Sequence, residues 1–440
     1  MRVLQKTYSL PLMIAHRKVV SAPVLFIVAT VFSVFSSLQR CPAADESAKD
    51  VPIRVTAEGE GPFAGATGTV IEAAAREAHR RGGGVVHIAP GTYTLHREID
   101  LSGLRGVRII GTGKVVLRAA KQESSAITAE ASEGDMVLSV DAVERFPEGT
   151  TIEIHSPGRR GTKPSGEPYQ VPYIMARVAG HEDGALRLAE PLKYPAPAGA
   201  TVIPVFNGVI IRGEASDLLL SDLTIDMNRD HWPVVPLNHV YHCGVFAAGP
   251  YSYEKGPTGP PVKDLRIVRC TVRNSHYRGI VLYSTVHTSI VDCRIENTDA
   301  EGIVFDHFCQ HGEAVGNTLV NCQNIELNDA SDCVIAYNRI EKPDVGIVVW
   351  QWCTQPGLNE RNLLIGNEII EPGGEGISLK SGADDNLVSG NTIENSGGAG
   401  IVVRGNANLI LGNRLSGTGG TPLVLEGEGN FERDNISPKP

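Results

Sequence analysis

Through the second half of the chain, apolar residues fall in short triplets of the form apolar-x-apolar, each opened by a small residue, usually Gly. The instances run Gly244-Val245-Phe246-Ala247, Gly279-Ile280-Val281-Leu282, Gly302-Ile303-Val304-Phe305, Asn324-Ile325-Glu326-Leu327, Gly346-Ile347-Val348-Val349, Gly376-Ile377-Ser378-Leu379, Gly400-Ile401-Val402-Val403 and Pro422-Leu423-Val424-Leu425. After the first gap their step is mostly about 22–24 residues, the period of a solenoid. A second column keeps that step: Cys270, Cys293, Asn317, Asn338, Asn367, Asn391 and Asn413, each followed two residues later by Val, Ile or Leu. Within a repeat, three alternating apolar stretches are separated by Gly, Asn, Asp and Ser, which makes them strands too closely spaced by turns to be helices. No single repeat can bury its apolar face, so the repeats must stack as turns of one coil. Parallel strands then run about 4.8 Å apart and equivalent residues form ladders. The column Asn317, Asn338, Asn367, Asn391 and Asn413 is expected inside, each amide bonding the next.

Before the coil, Thr69 and Glu72 read as a capping box opening a helix with Val70, Ile71, Ala74, Ala75 and Ala78 on one side. Gly82-Gly83-Gly84 ends it, and Val85–Ile88 and Thr92–Leu95 follow as strands. The expected organisation is a signal peptide over 1–44, an N-terminal cap with the first strands over 51–130, an inserted small β-subdomain over 131–206, β-helix rungs over 207–430 and a tail over 431–440. A Pro/Gly/Tyr-rich insertion, Met227 to Pro261, stretches an early rung.

The two columns, together with the Gly-rich helix exit and the Pro90-Gly91-Thr92-Tyr93 entry, resemble the right-handed parallel β-helix of the pectate-lyase and polygalacturonase superfamily. The resemblance implies an all-β solenoid with an N-terminal capping helix. It leaves the reaction open, because that superfamily holds lyases, hydrolases, epimerases and inert tail-spike scaffolds. It also implies where substrate lies: across the outer face of the strand that begins at the Gly-Ile column, and across the turn before it.

With Ile and Leu of each triplet inward, the alternate residues point out. Down the rungs these are Phe246, Val281, Tyr283, Val304, Asp306, Glu326, Asn328, Val348, Trp350, Ser378, Lys380, Val402, Arg404, Val424 and Glu426. The turns add His239, His242, His276, Tyr277, Arg278, Asp299 and Glu301, with His307 and Asp329 just beyond the strands. Histidines and carboxylates gather on early rungs, so Asp306, His307, His276, Asp299 and Glu326 are the catalytic candidates. Tyr277, Arg278, Glu301, Trp350, Lys380 and Arg404 are the substrate-binding candidates. Aromatics, mixed acids and two cations on one face suit an acidic polysaccharide.

Asn297-Thr298-Asp299 resembles the polygalacturonase Asn-Thr-Asp motif, but Cys322-Gln323-Asn324 stands where the paired-Asp motif should follow. Phe305-Asp306-His307 faintly resembles the Asp-Pro-His motif of mannuronan C5-epimerases, without its Pro, and equally the Ile-Asp-His segment of pectate lyases. Lyase or epimerase chemistry needs a base for the proton beside a uronate carboxylate, and a cation against that carboxylate. Ca²⁺ is a candidate cofactor, since Asp299, Glu301, Asp306 and Glu326 are the oxygen ligands it takes; no metal site is assigned. Glycoside hydrolysis by a carboxylate pair and a non-catalytic sugar-binding solenoid are the alternatives.

Arg2, Lys6, Arg17 and Lys18 precede the apolar stretch Val24 to Phe35, and Pro42-Ala43-Ala44 offers a cleavage site. A secreted or periplasmic mature protein, with no membrane anchor, is expected. The net charge of −10, with no basic stripe, argues against nucleic acid. Of eight cysteines, Cys41 leaves with the signal. Cys270 and Cys293, one rung apart, fit either a disulfide or a buried thiol stack. The polysaccharide is the expected partner, and the sequence does not decide the oligomeric state.

Overall fold

A computed structural model describes residues 51–162, 167–233 and 241–437; the expected signal peptide and His239 lie outside them. Three parallel sheets run the length of a coil, two of ten strands and one of thirteen. Each rung gives one strand to each sheet, as in Ile303–Asp306, Glu313–Val315 and Thr318–Val320. The triplet column forms one ten-stranded sheet, from Ile99–Asp100 through Ile280–Tyr283, Ile303–Asp306, Ile325–Asn328 and Ile347–Trp350 to Leu423–Leu425. Its inward residues Ile280, Leu282, Ile303, Phe305, Ile325 and Leu327 are fully buried in one continuous core.

Close approach between rungs explains the Gly column. A Cβ on Gly279 would sit 2.4 Å from Gly302 O, and one on Gly346 would sit 2.4 Å from Gly376 O. The Asn column is inside, as expected. Asn317, Asn338, Asn367, Asn391 and Asn413 are no more than 1% exposed. Each Nδ2 donates to the next Oδ1 at 2.9 Å, and the ladder runs on to Asn435. The residue before each ladder position is left-handed, with φ of 67° at Gly316, 56° at Tyr337 and 62° at Gly366; this turn favours Gly. A second inner ladder, Asn362, Asn386, Asn408 and Asn430, is also present.

The helix Gly68–Arg80 buries Ile71, Ala74, Ala75 and Ala78 against the first rungs. Its expected capping box does not form: Thr67 is the N-cap and makes no side-chain cap bond. Glu72 instead accepts from Arg76 (3.1 Å), Arg97 (2.6 Å) and the Asp100 N–H (3.2 Å), tying the helix to the first strand of the triplet sheet. Six antiparallel strands, including Thr151–Ile154, Ile174–Glu182 and Ala185–Leu188, form a separate small sheet. It has its own core of Leu138, Phe146, Ile152, Ile154, Leu186 and Leu188.

The cysteine alternatives resolve to buried thiols. Cys270 and Cys293 are free, and their Sγ atoms donate to the carbonyls of Val268 (3.5 Å) and Val291 (3.4 Å). They occupy the ladder column ahead of Asn317, where a small apolar thiol packs well. Adding reductant should therefore leave the melting temperature unchanged. A fall of several degrees would reveal a bridge.

Candidate functional site

The outer face of the triplet sheet is not an open, solvated wall. Val281 and Val304 are fully buried, and Phe246 and Tyr283 nearly so. With Ile210 and Cys243 they form a second apolar cluster outside the coil, against which Tyr251 and Tyr277 pack. The cover comes from the insertion, whose hairpin pairs Tyr251–Ser252 with Gly256–Pro257. Gln355 Nε2 donates to Tyr253 O at 2.7 Å and fastens the hairpin to the loop after Trp350.

Beneath this cover Arg278, 8% exposed, collects the acids of the next two rungs. Its Nε donates to Glu301 Oε2 at 2.6 Å, and its Nη1 to Tyr283 Oη at 2.8 Å and Asp306 Oδ2 at 3.2 Å. Nη2 lies 3.8 Å from Glu326 Oε1, and the guanidinium stacks 4.8 Å over the Tyr277 ring. Burial opposes its charge, but Tyr283, Glu301, Tyr277 and Asp306 outweigh burial and hold its pKa well above the usual guanidinium value. Three of the four carboxylates expected to offer oxygens to Ca²⁺, Glu301, Asp306 and Glu326, thus converge on an arginine, which already supplies a cation.

Glu326 is the exception within this group. Burial, reinforced by the charge of Glu301 and opposed by Arg278, pushes its carboxyl up to about 8. Its Oε1 has no hydrogen-bond partner. The same holds for Asn328 Oδ1 on its strand, Trp350 Nε1 on the next and Ser378 Oγ on the one after. Register puts Asn328 beside Trp350, and Val348 between Glu326 and Ser378. Buried polar atoms are rarely left unpaired; Glu326 and the Trp350 indole face each other, which leaves Asn328 and Ser378 to mark a place for a polar ligand. A groove of about 390 Å³ opens there, lined by Glu326, Val348, Trp350, Gln351, Lys380 and Ser381.

His307 lies one step back, 5% exposed. Its Nδ1 is 2.7 Å from Asp329 Oδ2 and its Nε2 is 3.3 Å from Asp306 Oδ1. Tyr253 meets it edge-on at 4.9 Å, with Tyr251 at 5.5 Å and Tyr283 at 5.6 Å. Asp329 is anchored in turn by the backbone N–H groups of Trp352 (2.8 Å) and Cys353 (2.9 Å). Burial and the Asp329 charge push the Cys353 thiol up, so it stays protonated. His307, Asp329 and Cys353 form the close ligand trio among the described residues. A 2.7 Å nitrogen–oxygen contact is a hydrogen bond, too short for two ligands of one ion.

The structure thus brings Arg278, Glu301, Asp306, His307, Glu326, Tyr277 and Trp350 together, with Lys380 across the groove. It does not bring the others. His276 Nδ1 lies 3.2 Å from Asp299 Oδ2, and Asp299 is held by Arg229 Nη1 at 2.5 Å and is half exposed. The Asn297-Thr298-Asp299 motif therefore fastens a turn to the insertion. Arg404 pairs with Glu426 at 2.9 Å on the surface and does not line the groove. Sequence reasoning missed the roof of Tyr251 and Tyr253; their Tyr-rich insertion was the available signal. Of the catalytic candidates, Asp306 and His307 lie under cover, and the groove opens at Glu326, toward the next rungs.

The family model described as "Right handed beta helix region" matches residues 257–363 and 358–436. No curated protein matches the chain. Among solved structures, the A-module of mannuronan C-5 epimerase AlgE4 from Azotobacter vinelandii is 16% identical, with a TM-score of 0.52 over 84% of this chain and 83% of that one. The A-module of AlgE6 from the same organism is 15% identical, with a TM-score of 0.48 over 85% and 95%. DFA-IIIase from Arthrobacter chlorophenolicus A6 is 14% identical, with a TM-score of 0.44 over 82% and 79%. At 16% identity the likeness to the AlgE4 module is one of fold alone. With its stacked parallel sheets and the matched repeats over residues 257–436, the chain has the fold of a right-handed parallel β-helix.

Proposed function

We propose that this protein is an enzyme acting on an acidic polysaccharide by proton abstraction, as a lyase or C5-epimerase, with its reacting centre at Glu326. The observation that carries the reading is the groove itself. It is lined by a carboxyl raised to about 8, by Lys380, the cation of that groove, and by the Trp350 indole. A sugar ring stacks on the indole, and Lys380 pairs with the uronate carboxylate. Ionised Glu326 takes the proton from the carbon beside that carboxylate, and Lys380 offsets the charge that develops there. Breaking the bond to the adjacent glycosidic oxygen, which takes a proton from water as it leaves, gives an unsaturated uronate; a proton delivered from water to the opposite face of the carbanion gives the epimer. Arg278, Glu301 and Asp306 set the field around Glu326, and the His307–Asp329 pair stiffens the wall behind it. The resemblances of the sequence and the fold of the epimerase modules are in keeping with this reading.

Glycoside hydrolysis is the second reading, and one observation favours it: below pH 8 Glu326 is mostly protonated, the state of a general acid. The pH profile separates the two. If Glu326 is the base, its active form is ionised and kcat rises as pH climbs through about 8. If it is the acid, kcat falls through that value. Absorbance of unsaturated uronates, NMR of the epimer ratio and an assay of reducing ends, over a panel of polyuronates, identify the products. Binding without any of these would leave a sugar-binding solenoid.

Lys380→Ala should raise KM for an acidic glycan about tenfold, the size of one charge-assisted contact, with a smaller fall in kcat. Arg404→Ala, already paired with Glu426, should leave KM unchanged. The reverse result would move the binding site along the coil. We place the protein outside the cytoplasm on its N-terminal apolar segment. No helix among the described residues is long and apolar enough to cross a membrane.

A further inference from the structure

A second groove, of about 350 Å³, lies between the small antiparallel sheet and the first two rungs. One wall comes from the triplet sheet, through Ile210 and Arg212; the other carries Arg177 and Lys193. Register relates it directly to the candidate site. Ile210 stands beside Phe246, which stands beside Val281, then Val304, then Glu326. Four strand steps separate Ile210 from Glu326, about 19 Å along the coil axis.

We infer that this groove is an accessory subsite for an anionic stretch of the same polysaccharide, so that the enzyme engages long chains at two places. The inference rests on the proposed action at Glu326. Its support is local. Arg177 and Arg212 line the groove together with Glu98, Asp100 and Glu190; the Arg177 charge acts on Glu98, and Lys193 pairs with Glu190 at 3.7 Å, while Arg212 is in no ion pair among the described residues. Arg212 is positioned from both sides: its backbone N–H donates to Ser102 Oγ at 3.0 Å, and its guanidinium lies 5.4 Å over the Phe246 ring. That leaves the planar donor fork available for a carboxylate or sulfate, which it matches better than Lys does. Glu98, on the same wall, is pushed up by burial against the opposing charges of Arg97 and Arg177. A monosaccharide cannot reach both grooves. A chain that spans them gains the second contact as an intramolecular one, at high effective concentration.

The test is calorimetry on the Glu326→Gln protein, which binds without turning over, with short and long oligomers of mannuronate, galacturonate and glucuronate. Long oligomers should bind roughly tenfold to a hundredfold more tightly than short ones. The Arg177→Ala/Arg212→Ala pair should remove that advantage and leave short-oligomer affinity in place. Arg212→Glu, at an exposed position, should do so more strongly. Equal affinity for both lengths in the parent, or a length advantage that survives the double substitution, overturns the subsite while the action at Glu326 stands. Failure of every oligomer to bind overturns both.

Discussion

Glu326→Gln is expected to cut turnover by about 10²–10⁴-fold, the usual contribution of a positioned acid or base, while affinity for the polymer persists. The substitution keeps the shape and the strand, so loss of activity cannot be blamed on a collapsed site if the melt is intact. Stability gives an independent readout of the same group. In the fold Glu326 is raised from 4.5 to about 8. The unfolded chain therefore gives up this proton first as pH rises, and over that window the folded state holds more protons than the unfolded one. The contribution to stability is full below the unfolded value and is lost as pH climbs through about 8. Gln carries no such dependence. The variant should melt with the parent near pH 4 and above it at pH 9. A variant that melts lower at pH 9 would make Glu326 a stabilising ion partner of Arg278, and the catalytic reading would fall.

The rungs were legible in the sequence because they repeat, and what repeats is what stacks. A Gly in the triplet column reports that the next rung leaves no room for a Cβ, which at Gly279 and Gly346 would meet a carbonyl at 2.4 Å, and an Asn in the second column reports an amide above and below. Neither constraint depends on distant parts of the chain. The second Asn ladder escaped notice because Cys333 occupies its upper position and a longer loop separates it from Asn362, to which its backbone N–H donates at 3.0 Å. The register breaks where the ladder begins.

The site was half legible for the same reason. Register alone puts Glu301 and Asp306 on one rung and Glu326 on the next. It does not say which cation lies among them, and Arg278, expected as a substrate contact, is their counter-ion. The covering hairpin comes from an insertion with no period, so nothing in the columns announced that Asp306 and His307 would be 2% and 5% exposed. An outward position on a strand is a direction, and only the covering segment decides whether it meets water. That is why the opening lies at Glu326, Trp350 and Lys380, beyond the reach of Tyr251 and Tyr253.

Asn367→Leu should destabilise the fold by about 3 kcal/mol or more, several times an ordinary surface change. Asn367 sits at the middle of the ladder and serves both neighbours. Its Oδ1 accepts from Asn338 N (3.1 Å) and Asn338 Nδ2 (2.9 Å). Its Nδ2 donates to Asn391 Oδ1 (2.9 Å) and Ile335 O (2.8 Å). Leu fills nearly the same volume and adds apolar surface worth roughly 1–2 kcal/mol, so the result decides between packing and hydrogen bonding. It leaves two buried donors of Asn338 and the Ile335 carbonyl without this partner, each at about 1–3 kcal/mol, with no water in the core to replace it. The bonds should win. The matching change at the open end of the ladder, Asn435→Leu, removes bonds from a group that is only partly buried. Water can take them over, and the loss there should be under about 1 kcal/mol. Chemical denaturation of both variants measures the difference. Equal losses at the two positions would mean that the ladder is no stronger inside the coil than at its rim, and that the column is kept for turn geometry alone.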